Sequence, residues 1–182
     1  MDLTDLIVWT FAVLTVAGQI LALALLVALA SGGRSALAER VREHGLVLML
    51  AVAVLGTGGS LYLSDVAGWT PCKLCWIQRI FLYPQVVLLG IAIWRRDKTV
   101  AWHILALSVI GLLFAKLHCG GRVGASPPPA DPSVPCDASG TSCASTPFFR
   151  FGYITIPMMA ATAFALNMLG SVLLLAGKRQ RS

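Results

Sequence analysis

Charge is what this sequence has least of. Only 12% of its 182 residues are Asp, Glu, Lys or Arg, about half the ~25% carried by a soluble domain, and that shortage excludes an ordinary water-exposed fold. Histidine is scarcer still: there are three. His103 lies by a basic cluster, and no histidine stands at paired-ligand spacing beside the cysteines, so no metal site is expected. No nucleotide motif is present either. Acidic residues number eight against fourteen basic ones, and a net charge of +6 with a pI near 9.4 invites a nucleic-acid reading. That reading fails on distribution, because the basic residues form short clusters between apolar runs instead of one soluble face. The partner that the composition selects is membrane lipid.

What is abundant is apolar sequence: 57% of the residues are hydrophobic and the mean hydropathy is +0.80. A helix needs about 20 such residues to cross the roughly 30 Å hydrocarbon layer. Residues 6–30 and 46–64 are two uncharged runs separated by the Arg- and Glu-containing stretch 34–44. A third runs over 74–94 and tolerates Arg79 near one end, where the side chain reaches the interface or lines a polar cavity. A fourth covers 100–116, and a fifth, 151–177, stops at Lys178, Arg179 and Arg181. The expectation is an all-α membrane protein of five spans, divided at residue 45 into an extra N-terminal helix with its loop (1–45) and the remaining four spans (46–182), with outer loops at 65–73 and 118–150.

Lys and Arg are retained on the cytoplasmic side of short loops. Arg34, Arg40, Arg42, Arg95, Arg96, Lys98, Lys178, Arg179 and Arg181 all fall on one side, whereas the opposite flanks hold Lys73, Arg122 and Arg150, with Arg79 and Lys116 close to that interface. The N-terminus is therefore expected outside and the C-terminus inside. Ala28-Leu29-Ala30 imitates a signal-peptidase site, but the flank Met1-Asp2-Leu3-Thr4-Asp5 is acidic and the apolar run exceeds the 7–15 residues usual for a signal core. The first run is read as a helix that stays.

All five cysteines, Cys72, Cys75, Cys119, Cys136 and Cys143, then lie in or beside the outer segments, the oxidising side of a bacterial-type membrane. Cys72-Lys73-Leu74-Cys75 enters the third span directly after Pro71, a residue suited to a helix start. Unpaired N–H groups and the positive dipole end there favour thiolate over thiol. Arg79, four residues after Cys75, shares its helix face and could stabilise a thiolate or another negative group in a poorly hydrated site; its bland alternative is a snorkelling interfacial arginine. The same Cys-x-x-Cys spacing also supplies half of many zinc sites and many structural pairs.

The segment 118–150 holds six of the nine prolines with many Ser and Gly, a composition that argues for a loop. Cys136 and Cys143 enclose six residues, close enough to form a disulfide, either as a static staple or as an exchangeable pair on a tether that meets a soluble partner and returns to Cys72 and Cys75. Cys119, at the membrane edge, is left unassigned among a spare thiol, a palmitoylation site and an alternative partner for the loop cysteines. His118 beside it either contacts a ligand or sits at the interface. Pro84 and Pro157 fall within spans, where they loosen a helix, and Gly56, Gly58 and Gly59 permit close helix approach.

Pro71-Cys72-Lys73-Leu74-Cys75-Trp76-Ile77-Gln78-Arg79 with Phe81-Leu82-Tyr83-Pro84 resembles the DsbB/BdbC family of disulfide-bond formation membrane proteins. Phe151-Gly152-Tyr153-Ile154-Thr155-Ile156-Pro157 is similar to the start of that family's final helix, and Leu117-His118 falls where members often have Tyr-His. The resemblance covers roughly residues 46–176. It implies a four-helix bundle that reoxidises a soluble thioredoxin-fold thiol oxidase of the DsbA/BdbD kind and delivers electrons to ubiquinone or menaquinone in the bacterial inner membrane. By that analogy Cys136 forms the mixed disulfide, Cys143 resolves it, Cys72 and Cys75 receive the electrons, and Cys75 lies beside the quinone. Arg79 matches a family arginine associated with quinone binding, and His118 is a candidate contact to the head group. This sequence departs from the family in its extra first helix, in the close spacing of Cys136 and Cys143, and in Cys119, whose pairing with Cys136 would resemble long-loop members. Vitamin K epoxide reductase homologues are similar in bundle and chemistry but carry the loop pair before the Cys-x-x-Cys. A metal-binding or transport protein, and a structural protein with static disulfides, are the rivals of other classes.

Overall fold

The computed structural model describes residues 3–32, 35–120, 151 and 153–179. Five long helices account for nearly all of them: α1 (Leu3–Ala30), α2 (Ala36–Leu61), α3 (Lys73–Arg95), α4 (Ala101–Gly120) and α5 (Ile156–Arg179). No β-strand occurs among the described residues. Each helix is long and apolar enough to cross a bilayer. Many side chains that point outward are apolar, such as Ile20 at 66% exposure and Val87 at 61%, as expected where the surrounding solvent is lipid.

Helix ends follow local chemistry. Ser35 caps α2 by accepting from the Ala38 N–H at 3.2 Å, satisfying one of the donors that a helix start leaves unpaired. As a result, the charged stretch that separates the first two apolar runs is itself helical from Ala36 onward. α3 stops at Arg96, which adopts the left-handed conformation (φ 52°). The Asp97 N–H then returns to the Ala92 carbonyl at 2.9 Å, and the Asp97 carboxylate accepts from the Thr99 N–H at 2.7 Å to start the short 3-10 turn Lys98–Val100. α5 begins at Ile156, five residues later than its apolar run. Pro157 therefore sits in the first turn, where its missing N–H costs no intrahelical bond; it does not loosen a span as the sequence suggested.

α5 is the hub, packed against α4, α2 and α1 in decreasing extent, while α3 lies between α2 and α4. Small residues permit these approaches. A Cβ on Gly111 of α4 would stand 2.4 Å from the Phe164 ring, and one on Gly59 of α2 would stand 2.6 Å from the Phe11 ring of α1. Gly56 has Leu82 at 3.1 Å, whereas Gly58 faces open space, so of the three glycines marked for close packing two serve it. A buried polar ladder crosses the bundle at Gln85: the Asn167 amide donates to Gln85 Oε1 at 2.8 Å, Ser108 donates to the same oxygen at 3.5 Å, and Gln85 Nε2 donates to the Phe81 carbonyl at 3.0 Å. The last bond lies one turn before Pro84, where the helix ladder is interrupted.

The basic clusters meet at one end of the bundle. Lys98 Nζ donates to the Arg42 carbonyl at 2.8 Å, and a Cβ on Gly177 would stand 2.9 Å from the Arg42 side chain. Cys72 and Cys75 occupy the other end. The bundle thus has a basic end and a cysteine end.

Candidate functional site

At the cysteine end α2 does not stop as an α-helix. It continues as a π-helical turn, Tyr62–Val66, a widened geometry that is frequent at functional sites. The chain then folds back on itself: the Ala67 N–H reaches the Tyr62 carbonyl at 3.0 Å and the Trp69 N–H the Leu63 carbonyl at 2.9 Å. Gly68 sits between them at φ +69°, a conformation that costs a glycine nothing. This turn delivers Trp69, Thr70 and Pro71 to the start of α3.

Cys72 is the N-cap of α3 (φ −71°, ψ 168°), and Cys75 is the third residue of its first turn. Both sulfurs therefore lie where backbone N–H groups lack helical partners and the positive end of the dipole is exposed. They are 3.3 Å apart, longer than the about 2.05 Å of an S–S bond, so the two sulfurs are in contact without being bonded to each other. Cys72 is buried and Cys75 half-buried. The Pro-Cys-x-x-Cys spacing thus forms the juxtaposed pair at a helix start that the sequence suggested.

Arg79 takes neither cysteine as its direct partner. Its Nε donates to Ser60 Oγ and one terminal nitrogen donates to the Ser60 carbonyl, both at 2.9 Å. The guanidinium also lies over the Trp76 ring, 5.1 Å from its centroid, a cation–π arrangement. Tyr83 donates to the same Ser60 hydroxyl at 3.5 Å. No carboxylate pairs with Arg79 among the described residues. Of five guanidinium N–H donors, Ser60 takes two, so three remain for a ligand. A snorkelling arginine would reach away from the bundle to water; this one is fixed across to α2.

Cys72, Cys75 and Arg79 line a single cavity of about 390 Å³, together with Ser60, Trp69 and the buried Gln78. That volume falls within the range of small-molecule sites, which are mostly apolar with a few placed polar groups. The polar groups here cluster at the cysteine end. Below them the walls are mostly apolar, with Val52 and Leu55 of α2, Leu82 of α3, Ala163 and Leu166 of α5, and Leu14 and Leu21 of α1; Thr15 and Thr162 also line them, their hydroxyls donating to carbonyls of their own helices.

Two residues in this site were not singled out from the sequence. Ser60 anchors Arg79 from another helix, and nothing in a lone serine of an apolar run advertises that. Gln78 carried a usable signal, since a polar side chain inside a membrane span points to a bundle-facing or functional position. His118 lies on α4, but its side chain is outside the described residues, as are Cys136 and Cys143. The structure therefore brings Cys72, Cys75 and Arg79 together and leaves the loop pair and His118 contact as expectations.

Comparison with known proteins agrees with this geometry. The family model for disulfide bond formation protein DsbB matches residues 42–175, a range that includes the π turn, Cys72, Cys75, Arg79 and most of α5 but excludes α1. A "Probable disulfide formation protein" of Metapseudomonas resinovorans is 39% identical over 121 residues, covering 66% of this chain and 82% of that protein. "Disulfide bond formation protein C" of Bacillus subtilis is 37% identical over 123 residues, 68% of this chain and 86% of that protein. The "SPbeta prophage-derived disulfide bond formation protein B" of the same organism is 36% identical over 120 residues, 66% and 78% respectively. No solved structure matches this chain. With five membrane-length helices, an adjacent Cys-x-x-Cys pair and a match across nearly all of α2 to α5, this chain belongs to the DsbB family of disulfide bond formation proteins, which are membrane thiol oxidoreductases.

Proposed function

We propose that this protein reoxidises a soluble thioredoxin-fold thiol oxidase outside the cytoplasmic membrane and passes the electrons to a membrane quinone, ubiquinone or menaquinone. The observation that carries this reading is the shared cavity: two sulfurs 3.3 Å apart open into the same about 390 Å³ space as a bundle-fixed arginine. A quinone has a flat polar head and an apolar tail, and the cavity has a polar end and apolar walls, so the residues present suit the group.

Thiol–disulfide exchange supplies the first steps. A thiolate of the partner attacks Cys136 of the Cys136–Cys143 disulfide and Cys143 leaves as a thiolate. The partner's second thiol, and not Cys143 as the resemblance implied, then displaces Cys136, because attack by Cys143 would only re-form the loop disulfide; the partner departs oxidised with the loop pair left as a dithiol. The loop dithiol then reduces the Cys72–Cys75 disulfide in the same way, so one S–S bond forms for each one broken. When bound, the quinone supplies a two-electron, two-proton acceptor. Arg79 holds the head group through its remaining N–H donors, and the apolar walls exclude water from the exchange. The basic end, where Arg42 and Lys98 meet beside Gly177, supports a cytoplasmic placement of that end by the positive-inside bias, with the cysteines outside.

The test is anaerobic: purified protein is mixed with a reduced thioredoxin-fold partner while the ultraviolet spectrum of added quinone is followed. Stoichiometric quinone reduction is the expected result. No reduction, with a competent partner and intact disulfides, would remove the quinone from the assignment.

A further inference from the structure

The helix that the family match omits is also a wall of the cavity. α1 contributes Phe11, Leu14, Thr15, Ala17, Gly18 and Leu21 to it, a strip about 15 Å long at 1.5 Å per residue. This helix is pinned to α5 along the strip. A Cβ on Gly18 would stand 2.9 Å from Thr162, Gln19 donates to Thr162 at 3.5 Å, and the Tyr153 hydroxyl donates to Gln19 at 2.9 Å.

Against α2 the same helix packs far less extensively than against α5. At the cysteine end Phe11 abuts Gly59 and the Thr4 and Tyr62 hydroxyls are 3.4 Å apart. At the basic end Leu25 and Ala28 share an apolar cluster with Ala38 and Val41. Between these contacts lies a window whose rim residues line the cavity and also face outward: Leu14 is 45% exposed, Leu21 42% and, across the gap, Leu55 51%. An apolar rim at mid-span opens onto hydrocarbon, not water.

We infer that α1 is one jamb of a lateral portal between α1 and α2, through which the isoprenoid tail of the quinone leaves the cavity for the bilayer. This rests on the proposed quinone function and adds a binding surface from outside the family's matched region. The occupant follows from continuity: the polar end fixes a head group near Arg79, the slot runs from there past Gly56 and Ala163, and its side exit is rimmed by Leu14, Leu21 and Leu55. A tail on this path is held by α1, so α1 tunes affinity for tailed quinones over tail-less ones.

The experiment is photolabelling of the intact protein in lipid nanodiscs with two quinones, one carrying a diazirine on the head group and one on the first isoprenoid unit. The tail label is expected on residues 11–21 and the head label on α2 or α3 near Ser60 and Arg79, both displaced by excess unlabelled long-tailed quinone. Tail label confined to other helices, with head label in place, overturns the portal and leaves the quinone function standing. Tail label on α1 that the competitor does not displace belongs to a lipid chain and also overturns it. Absence of both labels removes the quinone function and the portal with it. As a second measurement, Ala17→Trp narrows the window and is expected to raise the ratio of apparent KM for long-tailed over tail-less quinone at least tenfold. An unchanged ratio overturns the portal.

Discussion

The two ends of this bundle are built from the same helices and differ in what fills the space between them. At the basic end Leu46, Met49, Leu89, Ala92, Ile104 and Leu174 form one apolar cluster and Leu25, Val41, Leu169 and Leu173 another. At the cysteine end the apolar cluster shrinks to Val8, Ala12 and Ile154 with their neighbours, and the remaining space is the cavity. Lipid tails are as apolar as leucine, so helix association in a membrane depends on close packing and hydrogen bonds. One end uses that packing to hold the helices together, which frees the other to stay hollow around reactive side chains. Loss of function and loss of stability should therefore separate along the length of the molecule.

The largest expected effect breaks the comparison at the reactive pair. Cys75→Ala abolishes electron transfer to quinone, whereas Cys136→Ala leaves the quinone site intact and blocks the partner; both are read from anaerobic quinone spectra and partner thiol titration. Full partner oxidation by either variant would sink the assignment. Next, Arg79→Gln removes charge-assisted hydrogen bonds of about 1.5–3 kcal/mol, so apparent KM for quinone rises about 10- to 100-fold while thiol exchange with the partner continues. An unchanged quinone dependence would make Arg79 a structural tie to Ser60.

Moving toward the bundle centre, the expected losses shift from activity to stability. Gly111→Ala drives a methyl against the Phe164 ring, an overpacking that costs about 1–3 kcal/mol and lowers the unfolding midpoint in detergent. The smallest effect belongs to the polar ladder: Gln85→Leu removes the acceptor of Asn167, and intramembrane hydrogen bonds average about 0.6 kcal/mol. Its unfolding midpoint should fall slightly with KM for quinone unmoved. A large rise in KM instead would show that the two regions are coupled.

Much of this arrangement was legible in the sequence because the signals are local. Uncharged runs fix the spans, and Pro71 before Cys72 fixes the helix start that brings Cys72 and Cys75 together. The four-residue step to Arg79 places it on the same cavity wall. What was not legible depends on neighbours distant along the chain. Ser60 meets Arg79 from another helix, and Asn167 reaches Gln85 across 82 positions. The start of α2 at Ala36 was masked by its charges, because hydropathy reports where lipid is and not where the helix begins. The wall contributed by α1 was invisible for a related reason: its apolar pattern satisfies lipid and cavity equally well.

The π turn at the end of α2 has a consequence for length changes. A π-helical turn accommodates one more residue than an α turn over a similar rise, so Tyr62–Val66 is the form that a single-residue insertion takes when the rest of a helix cannot move. Deleting one residue there would return the turn to regular α winding while Trp69 and the start of α3 stay against the cavity. At this spot the chain should tolerate a one-residue deletion far better than it would inside α3 or α5, where the loss of one residue turns everything after it by about 100°.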